Sequence, residues 1–524
     1  MVIFSKNMWP SRLLKYGLAT GVTLGTIASL KANQYNFDSV GVVRLGRAAA
    51  TVFNIAVYYK QTLYRSQLDN SSKEFLELKS SVHRRAAEKL LELCCTNRGV
   101  YIKVGQHIGA LDYLVPPEYV ETMKVLHSQA PRSTIEEVYK VLREDLKQDP
   151  FEIFSDIDEE PLGAASLAQV HKATLKDGTV VAVKVQHPYV RGNSLIDMKT
   201  MEALVKLVSW AFPDFKFSWL VKETKRNIPI ELDFLQEGHN AEKVDKMFTH
   251  LPWLKVPKVY WNLSTSRVLT MEYVEGGQIN DLAYIRSNSI DPYEVADKLS
   301  QLYSQMIFIH GFVHSDPHPG NILVKKTPKG AVDIILLDHG LYAELSNEFR
   351  WEYSKLWFSI LNKDKEGMRQ HSQNLGVGNL YFLLACMVTG RTWDSIMSGI
   401  QKTKWTNSEK AVRDKEIPNL LPQISDVLEN INSQMLLILK TNDLMRGVEF
   451  TLKAQNRKTS FFVMSRCVIQ SVYGERVKLC KTWLSRWSTV MSEHWALFKL
   501  SMYYTYLSVI SLPFVSSLFS VMKS

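Results

Sequence analysis

The stretch His314-Ser315-Asp316-Pro317-His318-Pro319-Gly320-Asn321, HSDPHPGN, decides how this 524-residue chain is read. Asp316 and Asn321 stand five apart, the spacing by which a phosphotransferase catalytic loop offers a carboxylate to an acceptor hydroxyl and an amide oxygen to Mg²⁺. Asp338 follows 22 residues later, after the apolar run DIILL (residues 333–337) and ahead of His339-Gly340. A kinase places the Asp that holds its metal at such a strand end. Upstream, Val181-Ala182-Val183-Lys184 matches the strand whose ammonium neutralises nucleotide phosphates. Each residue alone has a plainer reading: Lys184 a solvated edge-strand lysine, Asp316 a turn former before Pro317, Asn321 a helix or turn cap. In this order, each on the right kind of element, they specify a nucleotide-binding, kinase-like core.

Departures from the protein-kinase pattern narrow the chemistry. Where GxGxxG is expected the chain has Gly163-Ala164-Ala165-Ser166-Leu167-Ala168, with a single glycine. Each added Cβ restricts positive φ and close backbone approach to phosphate, so a stiffer loop with altered phosphate cradling is expected. Ser315 stands where many protein kinases carry Arg, removing the usual partner of an activation-loop phosphate. After Gly340 a helical pattern (Leu345, Phe349, Tyr353, Leu356, Ile360) begins almost at once, with no APE. Little room is left to dock a peptide, so a small-molecule or lipid acceptor, or plain ATP hydrolysis, is favoured over protein phosphorylation.

Working outward, Ser72 to Asn97 carries Phe75, Leu78, Val82, Ala86, Leu90 and Leu93 at spacings of three and four, the mark of an amphipathic helix. Helical pattern continues through Lys103, Gly105 and Gln106, breaks at Pro116-Pro117, and resumes from Ile135 to Leu146. Lys103 and Gln106, three apart, share one helix face. TVVAVKV (179–185), after the Asp177-Gly178 turn, reads as a strand, as do RVLTMEYV (267–274) and DIILLD (333–338). The order is a helical arm, a mixed block from about 155 to 340, and a helical region; no repeat or low-complexity tract interrupts it.

Charge and composition exclude several classes. Lys and Arg number 63 against 53 Asp and Glu, a surplus of +10, and apolar residues make up 46%, as in a folded globular chain. Residues 1–60 hold a net +6 of that surplus, so the body carries no nucleic-acid footprint. The acid-free start MVIFSKNMWPSRLLKYGLATGVTLG fits a mitochondrial presequence or membrane-proximal arm; a basic, frayed terminus is the plainer alternative. Five cysteines, none in a CxxC or Cys/His spacing, indicate neither a zinc site nor a disulfide framework. Tyr16 to Leu30 is uncharged but shorter than a span. Leu500 to Met522 is uncharged over 23 residues, long enough to span, yet rich in Ser/Thr and holding Pro513, so a docked or interfacial helix is the rival reading.

These motifs resemble the UbiB or AarF-domain atypical kinases. The resemblance rests on KVGQ (103–106), GAASLAQVHKA (163–173), VAVKVQHP (181–188), ELDFLQEGHNAEK (231–243), HSDPHPGN and LLDHG, in family order from about 70 to 345. It implies an α+β, two-lobed, atypical protein-kinase-like fold with an N-terminal helical KxGQ extension and C-terminal helices. The implied segments are 1–60 (targeting or membrane-proximal), 61–154 (KxGQ extension), 155–277 (N-lobe), 278–475 (C-lobe) and 476–524 (C-terminal, membrane-associated). ATP and Mg²⁺ are the implied cofactors, with Asp316 catalytic and Asn321 and Asp338 on the metal. Lys184 would contact ATP and pair with an acid of the ELDFLQE helix, by position Glu237 rather than Glu231. Glu231 and Asp233 form an ExD motif facing the active site, capped by Lys103 and Gln106. Leu162, Gly163, Ala164, Ala165, Ser166, Val170, Glu272 and Val274 complete the implied nucleotide site. Gly163, leading the Ala-rich loop, departs from the family pattern.

The family further implies a mitochondrial, inner-membrane-associated protein, with a membrane lipid or membrane protein as partner and a role in lipid homeostasis and cristae organisation. Two rivals stand beside this reading. One is a catalytically weak, nucleotide-dependent scaffold or switch, suggested by the Ala-rich loop and the occluding arm. The other is a transferase resembling aminoglycoside and choline kinases, which share HxDxxxxN; the KxGQ helix argues against it.

Overall fold

The computed structural model describes residues 40–69, 72–109, 115–127, 130–212, 218–316, 318–378, 380–398, 432–454 and 459–510. The basic start (1–39), Tyr16–Leu30 and the 511–522 part of the C-terminal apolar stretch lie outside the described residues. By internal contacts the described chain forms two compact units. One runs to Gly238 and includes Val259–Tyr273; the other comprises His239–Lys258 and the chain from Val274.

The first unit opens with four helices, α1 (Gly41–Thr62), α2 (Lys73–Asn97), α3 (Val100–Gly109) and α4 (Pro117–Met123). Ser72 caps α2 by accepting the Phe75 N–H at 3.1 Å, so the helix starts where its apolar spacing does. Pro117 does not break helix here: it occupies the first turn of α4, where its missing N–H costs nothing. A Cβ on Gly105 would stand 2.4 Å from Leu126 Cδ1. Glycine therefore lets α3 lie against the core of Leu93, Cys94, Met123 and Leu126.

Helix α5 (Ile135–Leu146) starts with a reciprocal cap between Thr134 and Glu137. Its residues Val138, Val141 and Leu142 bury Val181, Val183 and Val185. The sheet beneath comprises β1 (Phe154–Ile157), β2 (Gly163–Ala164), β3 (Ala168–Leu175), β4 (Val180–Gln186) and β6 (Val268–Glu272), in the order β1-β3-β4-β6 with β2 on β3. Side chains alternate along a strand, so burying the valines of β4 under α5 sends Lys184 to the other face. Helices α6 (Val190–Ala211), α7 (Ser218–Glu231) and α8 (Phe234–Met247) follow. Arg44 of α1 grips Asp197 of α6 through Nε–Oδ1 at 2.8 Å and Nη2–Oδ2 at 2.5 Å. Burial raises the Asp197 carboxyl even beside that guanidinium.

In the second unit a four-stranded sheet runs β5 (Leu254–Lys255), β10 (Val332–Leu336), β9 (Ile322–Lys326), β7 (Gly277–Gln278). Strands β8 (Phe312–His314) and β11 (Tyr342–Glu344) pair antiparallel, His314 opposite Tyr342. Helix α9 (Pro292–Ser304) runs into a π turn, Gln305–His310, closed by Gly311 at φ +67°. That left-handed residue turns the chain into β8. Helix α10 (Asn347–Asn362) buries Phe349, Tyr353, Leu356 and Ile360, the face its spacing predicts. Helices α11 (Ser433–Thr451), α12 (Thr459–Leu479) and α13 (Trp483–Ile510) complete the unit. Among the described residues no helix is long and apolar enough to cross a membrane.

Candidate active-site residues

In the first unit, Lys184 Nζ contacts both carboxylate oxygens of Glu237, at 2.6 and 2.8 Å. It also lies 5.2 Å from the centroid of the Phe234 ring. Glu237 sits in the first turn of α8 and is 2% exposed. With little competing water, the pair fixes the ammonium more firmly than a surface bridge would. Glu231 takes another cation: Lys103 Nζ of α3 is 2.7 Å from its Oε2, both side chains nearly buried. Asp233 accepts the Leu235 N–H at 3.2 Å, an N-terminal cap for α8. Gln106 donates to the Leu126 carbonyl at 3.0 Å and accepts through its own carbonyl from His127. Both residues thus have structural duties that the motif reading did not assign.

The Ala-rich segment is a hairpin rather than an open cradle. Gly163 pairs with Val170 and Ala164 with Gln169, and Leu162 donates to the Val170 carbonyl at 2.8 Å. Ala165 N–H binds the Ala168 carbonyl at 2.8 Å, while the Ala165 carbonyl accepts from His187 Nε2 at 3.1 Å. That donation assigns the proton to Nε2, so His187 Nδ1 accepts from Ser133 Oγ at 2.8 Å. Burial depresses the imidazole's pKa and keeps the ring neutral. Both backbone groups of Ala165 are therefore engaged, and Ser166 is buried. Gly163 has open space where a Cβ would stand and does not adopt positive φ. Glu272 ends β6, exposed, and Val274 follows just beyond it, in the second unit, half-buried.

In the second unit, His314 organises the catalytic stretch. Its Nε2 donates to the Asp338 carbonyl at 2.6 Å, and its Nδ1 accepts the Asp316 N–H at 3.2 Å. One neutral ring thus spans the backbones of both carboxylate-bearing turns. Complete burial lowers its pKa and favours that neutral form. Asn321 Nδ2 donates to the Asp316 carbonyl at 3.3 Å, turning the amide oxygen the other way. Asp338 Oδ1 accepts the Gly340 N–H at 2.8 Å. His339 donates to the Leu336 carbonyl and receives the Tyr342 hydroxyl, and Asn240 holds the His339 carbonyl at 2.9 Å. Strand β11 then runs straight back along β8 into α10, which confirms how short this passage is.

Lys440 was not legible as a site residue. Its Nζ, on α11, is 3.9 Å from Asp316 Oδ1, with both side chains about one-third exposed. The signal in sequence is weak: a lysine directly after the apolar run MLLIL (435–439), far along the chain. His314 was in view but without a role, because its bonding depends on where Asp338 returns.

The donors suit a hard cation. Asn321 and Asp338 offer oxygen, and Mg²⁺ takes few protein ligands when phosphates and water supply the rest. No group of three or more His, Cys, Asp or Glu able to hold a metal occurs among the described residues.

Residues 125–372 match the ABC1 atypical kinase-like domain. The chain is 57% identical to AarF domain-containing kinase 1 of Drosophila melanogaster, over 97% of this chain and 98% of that protein. It is 50% identical to AarF domain-containing protein kinase 1 of Mus musculus, over 93% and 91% of the two chains, and 50% identical to that of Gallus gallus, over 90% of each. Identity of this extent shows that the chain belongs to the ABC1/AarF family of atypical kinases, with that family's ATP-binding, kinase-like domain.

Proposed function

We propose that this chain is a Mg-ATP-dependent phosphotransferase or ATPase of a mitochondrial membrane, acting on a small-molecule or lipid hydroxyl or on water. The observation that carries the reading is the His314 bridge, which holds Asp316 and Asp338 in register within one unit. Asp316 orients the acceptor and takes its proton as the acceptor oxygen bonds to the γ-phosphorus; the bond to the bridging oxygen breaks and ADP leaves. Lys440 steadies the charge around Asp316. Lys184, fixed by Glu237, meets the nucleotide phosphates. Asn321 and Asp338 would hold Mg²⁺, which would supply neutralising charge to the phosphates.

The mitochondrial setting is supported by the basic, acid-poor first 60 residues, and a role in lipid homeostasis and cristae organisation by the family resemblance. The missing peptide platform between Gly340 and α10 supports a non-protein acceptor. ADP release by the full-length protein tests the catalytic part. Asp316→Asn should lower turnover by roughly 10²–10⁴-fold, the range for a general base, with Mg-ATP affinity kept. Unchanged turnover in that variant would refute the assignment.

A nucleotide-dependent scaffold is the second reading. It is favoured by the hairpin that engages both backbone groups of Ala165 and by the buried Lys103–Glu231 pair. Nucleotide binding without turnover, alongside nucleotide-dependent partner capture, would select it.

A further inference from the structure

Helix α13 has two unlike faces. Half-buried Val490, Leu497, Leu500 and Tyr504 fall on one, where Tyr504 meets Phe462 of α12 at 4.6 Å between ring centroids. On the other, Trp483, Trp487, Met491, Trp495, Phe498 and Met502 are each 50–75% exposed. At 3.6 residues per turn these six lie within an arc of about 120° that adjoins the packed residues without overlapping them. Trp495 and Phe498 stack at 5.6 Å, so the arc is continuous across a turn. An outward stripe holding three tryptophans is unusual for a surface otherwise in water.

Charge identifies what covers it. Lys481, just ahead of the helix, and Lys499 border one edge of the arc, Lys499 lying 5.5 Å from the Trp495 ring. The one acid of α13, Glu493, is on the packed side, half-buried. Tryptophan prefers the headgroup boundary, where its ring is apolar and its N–H is wet, and flanking cations meet anionic headgroups. Among the described residues no helix is apolar enough to span, and an aromatic stripe bordered by cations suits the interface plane.

We propose that the outward face of α13, centred on Trp487, Trp495 and Phe498, docks on an anionic lipid bilayer. This deepens the membrane part of the proposed function and does not depend on turnover. It places the second unit against a membrane surface.

Flotation of the full chain with phosphatidylcholine vesicles, with and without phosphatidylglycerol, tests the surface. Binding is expected only where phosphatidylglycerol is present. The triple variant Trp483→Ser/Trp487→Ser/Phe498→Ser should weaken it by about tenfold or more, since affinity follows buried apolar area. Lys481→Glu/Lys499→Glu should weaken it by roughly fivefold per cation. Leu207→Ser/Trp210→Ser, which alters an exposed apolar patch on α6, should bind like wild type. Unchanged flotation of the triple variant, equal binding to neutral vesicles, or loss confined to the α6 variant would each overturn the proposal. So would a self-associated chain that the triple variant dissociates in light scattering, because the face would then belong to a second copy. Each variant's thermal midpoint and its shift with Mg-ATP are recorded alongside. Absent flotation of the wild-type chain with an intact nucleotide shift strikes the docking surface alone; flotation as expected with no nucleotide shift in wild type strikes the catalytic reading alone.

Discussion

His314 and Asp338 are joined by a 2.6 Å hydrogen bond from the imidazole Nε2 to the backbone carbonyl, while the same ring receives the Asp316 N–H. The bond links the end of β8 to the turn after β10. A shift of either carboxylate-bearing turn must strain or break it. The ring performs this role only when neutral, with one nitrogen donating and the other accepting.

His314→Phe should leave the two backbone groups unsatisfied, costing on the order of 1–3 kcal/mol for each, measured by chemical denaturation. The pH dependence has a definite sign. Burial lowers the folded-state pKa below the ordinary 6.5, so the unfolded chain binds more protons as pH falls. The stabilisation is complete above about pH 6.5 and is lost toward the folded pKa, at up to about 1.4 kcal/mol per pH unit. The Phe variant should show a flatter decline below pH 6.5 than wild type, and an identical decline would contradict the assignment.

Lys184 and Glu237 should couple strongly. Lys184→Met takes the cation from a carboxylate whose side chain is 3% exposed, a change expected to cost about 3–5 kcal/mol. Lys184→Met combined with Glu237→Leu should cost less than Lys184→Met alone. Additive costs in the double-mutant cycle would show the pair to be energetically independent.

Two glycines should respond differently to alanine. At Gly105 the new methyl would meet Leu126 Cδ1 at 2.4 Å and Cys94 Sγ at 3.3 Å, so overpacking should cost about 1–3 kcal/mol. At Gly163 it meets open space on unstrained backbone, and stability should stay within about 0.5 kcal/mol. Denaturation midpoints of the two variants check both expectations; a costly Gly163→Ala would show that the hairpin needs its glycine.

Lys440→Met should lower turnover by roughly tenfold or more, as loss of a charge-stabilising donor does. Stability should change by less than about 1 kcal/mol, because the pair is partly exposed. Affinity for Mg-ATP should be kept. A variant that turns over like wild type would remove Lys440 from the site.

Much of this was legible locally. The spacing from Ser72 to Asn97 is realised as Lys73–Asn97; RVLTMEYV contains Val268–Glu272, and TVVAVKV and DIILLD overlap Val180–Gln186 and Val332–Leu336, each offset by one residue or more. In the helix the apolar period falls on the buried face, and the apolar runs of the strands are buried along nearly their whole length. Within the family resemblance, position favours Glu237 over Glu231 for Lys184, and the structure has that pair. What escaped was long-range or backbone-dependent. Pro117 opens a helix because its position relative to the first turn, rather than its identity, decides its effect. The Ala-rich segment forms a hairpin because His187 and β3 engage its backbone, which composition does not express. Lys440 reaches Asp316 only through the packing of α11.

The most direct measurement is the thermal midpoint of the full chain with and without Mg-ATP, beside Lys184→Ala and Asp338→Asn. At a nucleotide concentration of about 100 times Kd, wild type should gain roughly 2.7 kcal/mol by mass action, and both substitutions should shrink that gain. A folded wild-type protein whose midpoint does not move at saturating Mg-ATP would contradict the nucleotide-binding reading.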